Sequence, residues 1–159
     1  MKRKNSLRLP YVDYTRGWFL ITVNSAKRMH TFGTITDAQF SPLARGEHIE
    51  DSWLRVFERN EGIDTRAFQL MPNHLHGVVG LNGEVGTLGD LVGVFKSRVS
   101  REVRLAGLLQ EKERVWHRGY HARRLRTAAS VHRAAAYVTR NPSVWWERRQ
   151  RPANKHVKS

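Results

Sequence analysis

The sequence predicts an α+β fold, an antiparallel sheet with helices packed against it. Extended segments rich in β-branched and aromatic residues alternate with segments of helical periodicity, and the helical segments keep their apolar residues on one side. Pro and Gly stand at the joints and set the boundaries. Gly17 to Val23 and Thr31 to Thr36 read as the first two strands. Ser41-Pro42 reads as a helix start, with Ser41 the N-cap and Pro42 the first helical residue. Ile49, Trp53, Val56 and Phe57 then recur at helical spacing, and Gly62 lies just past the end. Ala67 to Leu70 and His74 to Leu81 read as strands, with Met71-Pro72-Asn73 as a bend between them, because proline cannot donate to a sheet ladder.

A glycine-punctuated loop leads to a second helix, Thr87 to Leu108, whose apolar stripe is Leu88, Leu91, Phe95, Val99 and Val103. Val115 to Leu125 reads as a short strand with loop character. Thr127 caps a third helix over Ala128 to Arg140, which Asn141-Pro142 terminates. The order β-β-α-β-β-α-β-α points to a ferredoxin-like sandwich with a sheet of four to five strands and an extra C-terminal helix. The reading gives one domain over residues 1–159, with 1–13 and 147–159 as basic, flexible tails.

Charge narrows the partners. The chain has 28 Lys plus Arg against 14 Asp plus Glu, a net +14 over 159 residues. Residues 1–95 carry only +1 of this, and residues 96–159 carry +13. Such an excess calls for a polyanion, and its arginine richness favours nucleic acid over a membrane surface, since guanidinium pairs bidentately with phosphate and stacks on bases. Lys96, Arg98, Arg101, Arg118, Arg123, Arg124 and Arg126 are the candidate contacts. No apolar run spans a bilayer or reads as a secretory signal. With no cysteine, disulfides, thiolate zinc sites and cysteine nucleophiles are excluded.

Few motifs could carry chemistry. In a strand, His74 and His76 emerge on one face while Leu75 points the other way, so the two imidazoles could share a divalent cation or could be a chance pair. Tyr137 and Asn141, four apart on a helix, lie one turn from each other: a phenol nucleophile and an oxygen donor, or a core-edge tyrosine and a helix-ending asparagine. Tyr120 is a rival phenol in an extended segment. Lys96-Ser97 fails as a phosphate-binding loop because Phe95 stands where glycine is required. His117, His121 and His132 read as surface or DNA-contacting residues, and Trp145-Trp146 as a packing anchor. No Ser-His-Asp or paired-carboxylate pattern stands out.

Five blocks in order resemble the single-tyrosine HUH transposases, more specifically the REP-associated tyrosine transposases. They are Phe19-Leu20-Ile21-Thr22-Val23 with Phe32-Gly33; Met71-Pro72-Asn73-His74-Leu75-His76-Gly77-Val78-Val79; Gly86-Thr87-Leu88-Gly89-Asp90 running to Phe95-Lys96-Ser97; Val115-Trp116-His117-Arg118-Gly119-Tyr120; and Tyr137-Val138-Thr139-Arg140-Asn141-Pro142 followed by Trp145. The resemblance spans roughly residues 17–146. It implies that His74, His76 and Asn141 hold Mg²⁺ or Mn²⁺ and that Tyr137 is the nucleophile. The implied reaction is single-stranded DNA cleavage and strand transfer through a 5′-phosphotyrosine, at hairpin sites, by a monomer or homodimer in the bacterial cytoplasm, associated with the nucleoid. Arg123 to Arg133 departs from the family pattern, which usually carries acidic residues there, and this bears on DNA-sequence preference. Two further readings stand beside it: a non-catalytic DNA- or RNA-binding regulator derived from the same fold, and an RNA-binding ferredoxin-like domain, whose full aromatic strand motif, Lys/Arg-Gly-Phe/Tyr-Gly/Ala-Phe-Val-x-Phe/Tyr, is not found in the sequence.

Overall fold

The computed structural model describes residues 12–151. The expected basic arm lies outside them up to residue 11, as does the expected tail from residue 152 on. Strand β1 (Arg16–Asn24) is followed by a single turn of 3₁₀ helix (Ala26–Arg28) and a hairpin of β2 (Gly33–Thr36) and β3 (Gln39–Pro42). Helix α1 (Ala44–Trp53) runs into a π-helical turn (Leu54–Glu58); then come β4 (Ile63–Met71), β5 (His74–Asn82), α2 (Leu88–Leu105), β6 (His121–Leu125) and α3 (Ala128–Gln150). The main sheet has the order β4-β5-β1-β6, antiparallel throughout, with β2-β3 as a separate ribbon. This is the split βαβ arrangement the element order predicted.

Alternation along β1 divides the molecule. Phe19, Ile21 and Val23 face α1 and α2 in a core that includes Phe32, Ile49, Trp53, Phe57 and Phe95. The Trp53 ring stacks on Phe57 at 4.2 Å and on Phe68 at 4.5 Å. All five stripe residues of α2 are buried there, and the Thr87 side chain caps the helix by accepting from the Asp90 amide. On the other face, Trp18, Leu20 and Ala67 pack with Val78, Leu125, Val131, Ala134 and Val138 under α3. Two glycines of β5 let rings lie flat on the sheet: a Cβ on Gly77 would stand 2.4 Å from the Trp53 ring, and one on Gly80 2.8 Å from Trp18. Gly77 thus makes room for an indole and not for a neighbouring backbone.

Three boundaries differ from the sequence reading. Ser41-Pro42 does not open a helix. It closes β3, where Pro42 pairs with Gly33, and α1 begins at Ala44 with Leu43 as an uncapped N-cap. The turn of this hairpin holds Asp37 and Ala38 at positive φ, the pairing geometry of a two-residue turn. The segment from Val115 is a bent loop, held just past the end of β1 by the Ser25–Trp116 bridge, until β6 begins at His121. Helix α3 does not stop at Asn141-Pro142: it carries Pro142, buried, in its interior and continues to Gln150, so the first residues of the expected tail, 147–150, are helical.

Candidate active site

His74 and His76 open strand β5 on the face covered by α3, where Leu75 points into the opposite core. Their rings lie 4.7 Å apart, edge to face. Each has its Nδ1 engaged. His74 Nδ1 lies 2.7 Å from the Asn73 side-chain oxygen, and His76 Nδ1 lies 2.9 Å from Thr22 Oγ1 across the β1–β5 pairing. With Nδ1–H donating to the Asn73 amide oxygen, the His74 lone pair sits on Nε2; the Thr22 hydroxyl, which can donate or accept, holds the orientation of the His76 ring, the second-partner arrangement that orients metal-binding imidazoles. Burial, with the neighbouring His76, Arg28 and His30 adding to it, lowers the His74 pKa to about 3. Burial alone lowers that of His76 to about 4. Both rings are therefore neutral at physiological pH, the form that coordinates a cation.

Helix α3 brings the phenol. Its first turn is fixed by a capping box in which Thr127 and Ser130 each bond the other's backbone amide. From there Val131, Ala134 and Val138 face the sheet. Tyr137, 49% exposed, sets its ring 5.5 Å from that of His76. Two turns on, Trp145 lies 6.2 Å from His74 and 5.4 Å from His30. Asn141 falls between them on the same side of the helix, half-buried, and its buried Nδ2 has no hydrogen-bond partner. The orphaned Nδ2 is a hydrogen-bond donor and not a metal ligand; what suits a divalent cation here is the chemistry of two neutral imidazoles, with the Asn141 side-chain oxygen as the donor its helix could add. Among the described residues there is no cluster of three or more His, Cys, Asp or Glu that could hold a metal ion.

The candidate cations divide between two surfaces. Arg123 and Arg126, with Ser130 and Arg133 of α3, line an open hollow of about 530 Å³ whose wall includes Tyr137. Arg133 was not singled out from the sequence; the signal was its place one turn before Tyr137 on the same helix face. Arg124 borders the same hollow, yet its guanidinium bonds the backbone oxygens of Asp13 and Arg16 and lies over the Phe19 ring. Lys96, Arg98 and Arg101 belong to α2, on the opposite side of the sheet from Tyr137. Lys96 is half-buried, and its ammonium donates to the carbonyls of His117 (2.9 Å) and Gly119 (3.0 Å), a clamp on the chain and not a free cation. Arg118 is exposed on that clamped segment. His121, also exposed, pairs with Thr22 as His76 does, so it stands on the His76 face one strand beyond. Tyr120 lies instead with the α1–α2 core, away from the imidazole pair.

The chain is thus a small α+β domain with an imidazole pair on a central strand and a phenol from its last helix beside it. A family model described as "Transposase IS200 like" matches residues 46–141, more than half the chain, and the protein belongs to that family. An uncharacterized protein of Haemophilus influenzae is 24% identical to it over 164 residues, 89% of each chain. The structure of a REP-associated tyrosine transposase bound to a REP hairpin superposes with a TM-score of 0.63 at 15% identity, over 87% of this chain and 74% of that one. A candidate transposase from Deinococcus radiodurans R1 gives a TM-score of 0.53 at 16% identity, over 96% of this chain and 100% of that one. These two likenesses show a shared fold.

Proposed function

We propose that this transposase cuts and rejoins single-stranded DNA at hairpin sites, using Tyr137 as nucleophile and His74, His76 and Asn141 to hold Mg²⁺ or Mn²⁺. The observation that carries this reading is the meeting of the Tyr137 and His76 rings within one chain, at the wall of an arginine-lined hollow. The hairpin bound by the structural relative supports a DNA partner of that shape.

A divalent ion at the imidazole pair supplies charge neutralisation for the scissile phosphate. The chain does the rest. Thr22 and Asn73 hold both rings by Nδ1 and keep Nε2 directed outward. Arg123, Arg126 and Arg133 bind the backbone phosphates and bring the strand alongside Tyr137. The phenolic oxygen forms a bond to phosphorus, the bond to the 3′-oxygen breaks, and the strand is left as a 5′-phosphotyrosine and a free 3′-hydroxyl. The phenol proton passes to solvent and the departing oxygen takes one up. Because the phosphodiester is exchanged and not hydrolysed, a second 3′-hydroxyl can reverse the step without a nucleotide cofactor. One molecule brings all these groups together, so a monomer suffices for one cut, and the DNA substrate puts the work in the bacterial cytoplasm. Among the described residues no helix is long and apolar enough to cross a membrane.

The test is to incubate wild type and Tyr137→Phe with end-labelled hairpin DNA and Mn²⁺, then resolve the products on a denaturing gel. A covalent adduct that disappears in the variant, and in wild type with chelator, is the expected result. An adduct that persists at wild-type level in Tyr137→Phe removes Tyr137 from the reaction.

A further inference from the structure

A second cavity, of about 370 Å³, opens at the His74 end of the sheet, between the 3₁₀ turn after β1 and the segment 112–118. Its size is at the low end of small-ligand pockets, roughly 300–1,000 Å³. Met29, Val115 and Trp116 give it apolar walls, and Lys27, Lys112, Arg114 and Arg118 stand around it. The carboxylate among its lining residues, Glu113, is already taken by Arg45 at 2.6 Å, which leaves the other cations of the cavity unneutralised. We propose that this cavity holds one unpaired nucleotide of the bound DNA strand, base inward against Met29 and Trp116 and phosphate at the Lys27–Arg114 rim. The proposal rests on the strand-transfer reading above and extends it to how the strand is held beyond the cut.

Three features favour a nucleotide here. The first is charge: apolar walls under a cationic rim match a base joined to a phosphate, and the chain as a whole is +14. The second is rigidity. Ala26 N–H donates to the Val115 carbonyl at 3.0 Å, His117 N–H to Asn24 at 2.9 Å, and the Lys96 ammonium clamps His117 and Gly119, so both walls are fixed before anything binds. The third is continuity with the imidazole site. The Asn73 side chain that orients His74 also donates to the Arg28 carbonyl, and the Asn73 carbonyl accepts from Ser25 N–H at 2.9 Å. Lys27 and Arg28 themselves sit at φ 53° and 52°, a left-handed conformation that non-glycine residues keep only where the surroundings impose it. A strand lying across His74 therefore has the cavity mouth as its next resting place.

The test uses the full chain carrying Tyr137→Phe, so that binding is read without covalent turnover. The probes are hairpins with short single-stranded flanks of mixed sequence, with 5-iodouracil placed at one flank position at a time, irradiated and mapped by mass spectrometry. One flank position is expected to crosslink to the peptide containing Met29 or Trp116. Lys27→Glu with Arg114→Glu is expected to weaken binding of flanked hairpins by at least about fivefold while blunt hairpins bind as before. Crosslinks confined to residues 123–137 with unchanged affinity overturn the proposal, as does an equal loss for blunt hairpins, which would mean contact with the stem. If wild type still forms the Tyr137 adduct, only the cavity assignment falls; if no hairpin is bound or cut, the functional reading falls with it.

Discussion

The two faces of the sheet are built from different materials. Under α1 and α2 the contact is aromatic, with Phe57, Phe68 and Phe95 each packed against the Trp53 ring. Under α3 the apolar contact is made of five small or medium side chains, flanked by Trp18, Leu20 and Ala67. Beyond it the helix meets the sheet through Tyr137, His76, His74 and Trp145. The first face supplies stability. The second gives up apolar burial to bring polar groups together.

Substitutions should separate the faces. Trp53→Ala is expected to cost about 3–5 kcal/mol in denaturant unfolding, since it empties the centre of the aromatic layer. Val138→Ala, equally buried but in the smaller cluster, should cost only about 1–2 kcal/mol. Equal costs would show that the two faces contribute alike.

Acid is expected to act through the α3 face. The folded histidines titrate at about 4 and about 3, whereas in the unfolded chain they take up protons near 6.5. Stability from their neutral burial is thus complete above pH 6.5. It drains as pH falls from 6.5 towards 4, by at most about 1.4 kcal/mol per pH unit for each imidazole. Urea unfolding of the metal-free protein across that range checks this, and a His74→Asn/His76→Asn variant should show a flatter profile. A wild-type profile as flat as the variant's would remove the two rings as the source.

The most local effect concerns one hydrogen bond. Thr22→Val keeps the shape of β1 but removes the hydroxyl that holds His76 Nδ1, and should weaken Mn²⁺ binding by about 10–100-fold in calorimetry. Thr22→Ser should restore most of it.

Periodicity made part of the aromatic face readable in advance: the α2 stripe proved buried as spaced. The imidazole pair on one strand face was equally plain, because strand geometry depends only on neighbours in sequence. What could not be read was set by contacts between distant segments. Pro142 normally ends a helix by removing a donor and crowding the preceding turn. Here its burial, together with the seating of Trp145 against His74 and His30 and of Arg149 over Trp145, accompanies a helix that runs on. Ser41-Pro42 has a helix-start signature, yet the ribbon with Gly33 claims it first, and proline is tolerated where that strand ends. The engagement of Lys96 and Arg124 by backbone carbonyls was likewise hidden, since side-chain charge alone does not say whether a cation is spoken for.

Strand β6 forms one border of the main sheet, and among the described residues no neighbouring strand pairs its outer backbone groups. Its sequence, His-Ala-Arg-Arg-Leu, puts two guanidinium groups on that border. Like charge at a bare margin repels an identical margin from another molecule, so two copies are discouraged from zipping their sheets together. Arg123, which lines the hollow beside Tyr137 and suits a polyanion, thus also disfavours edge-to-edge pairing between copies.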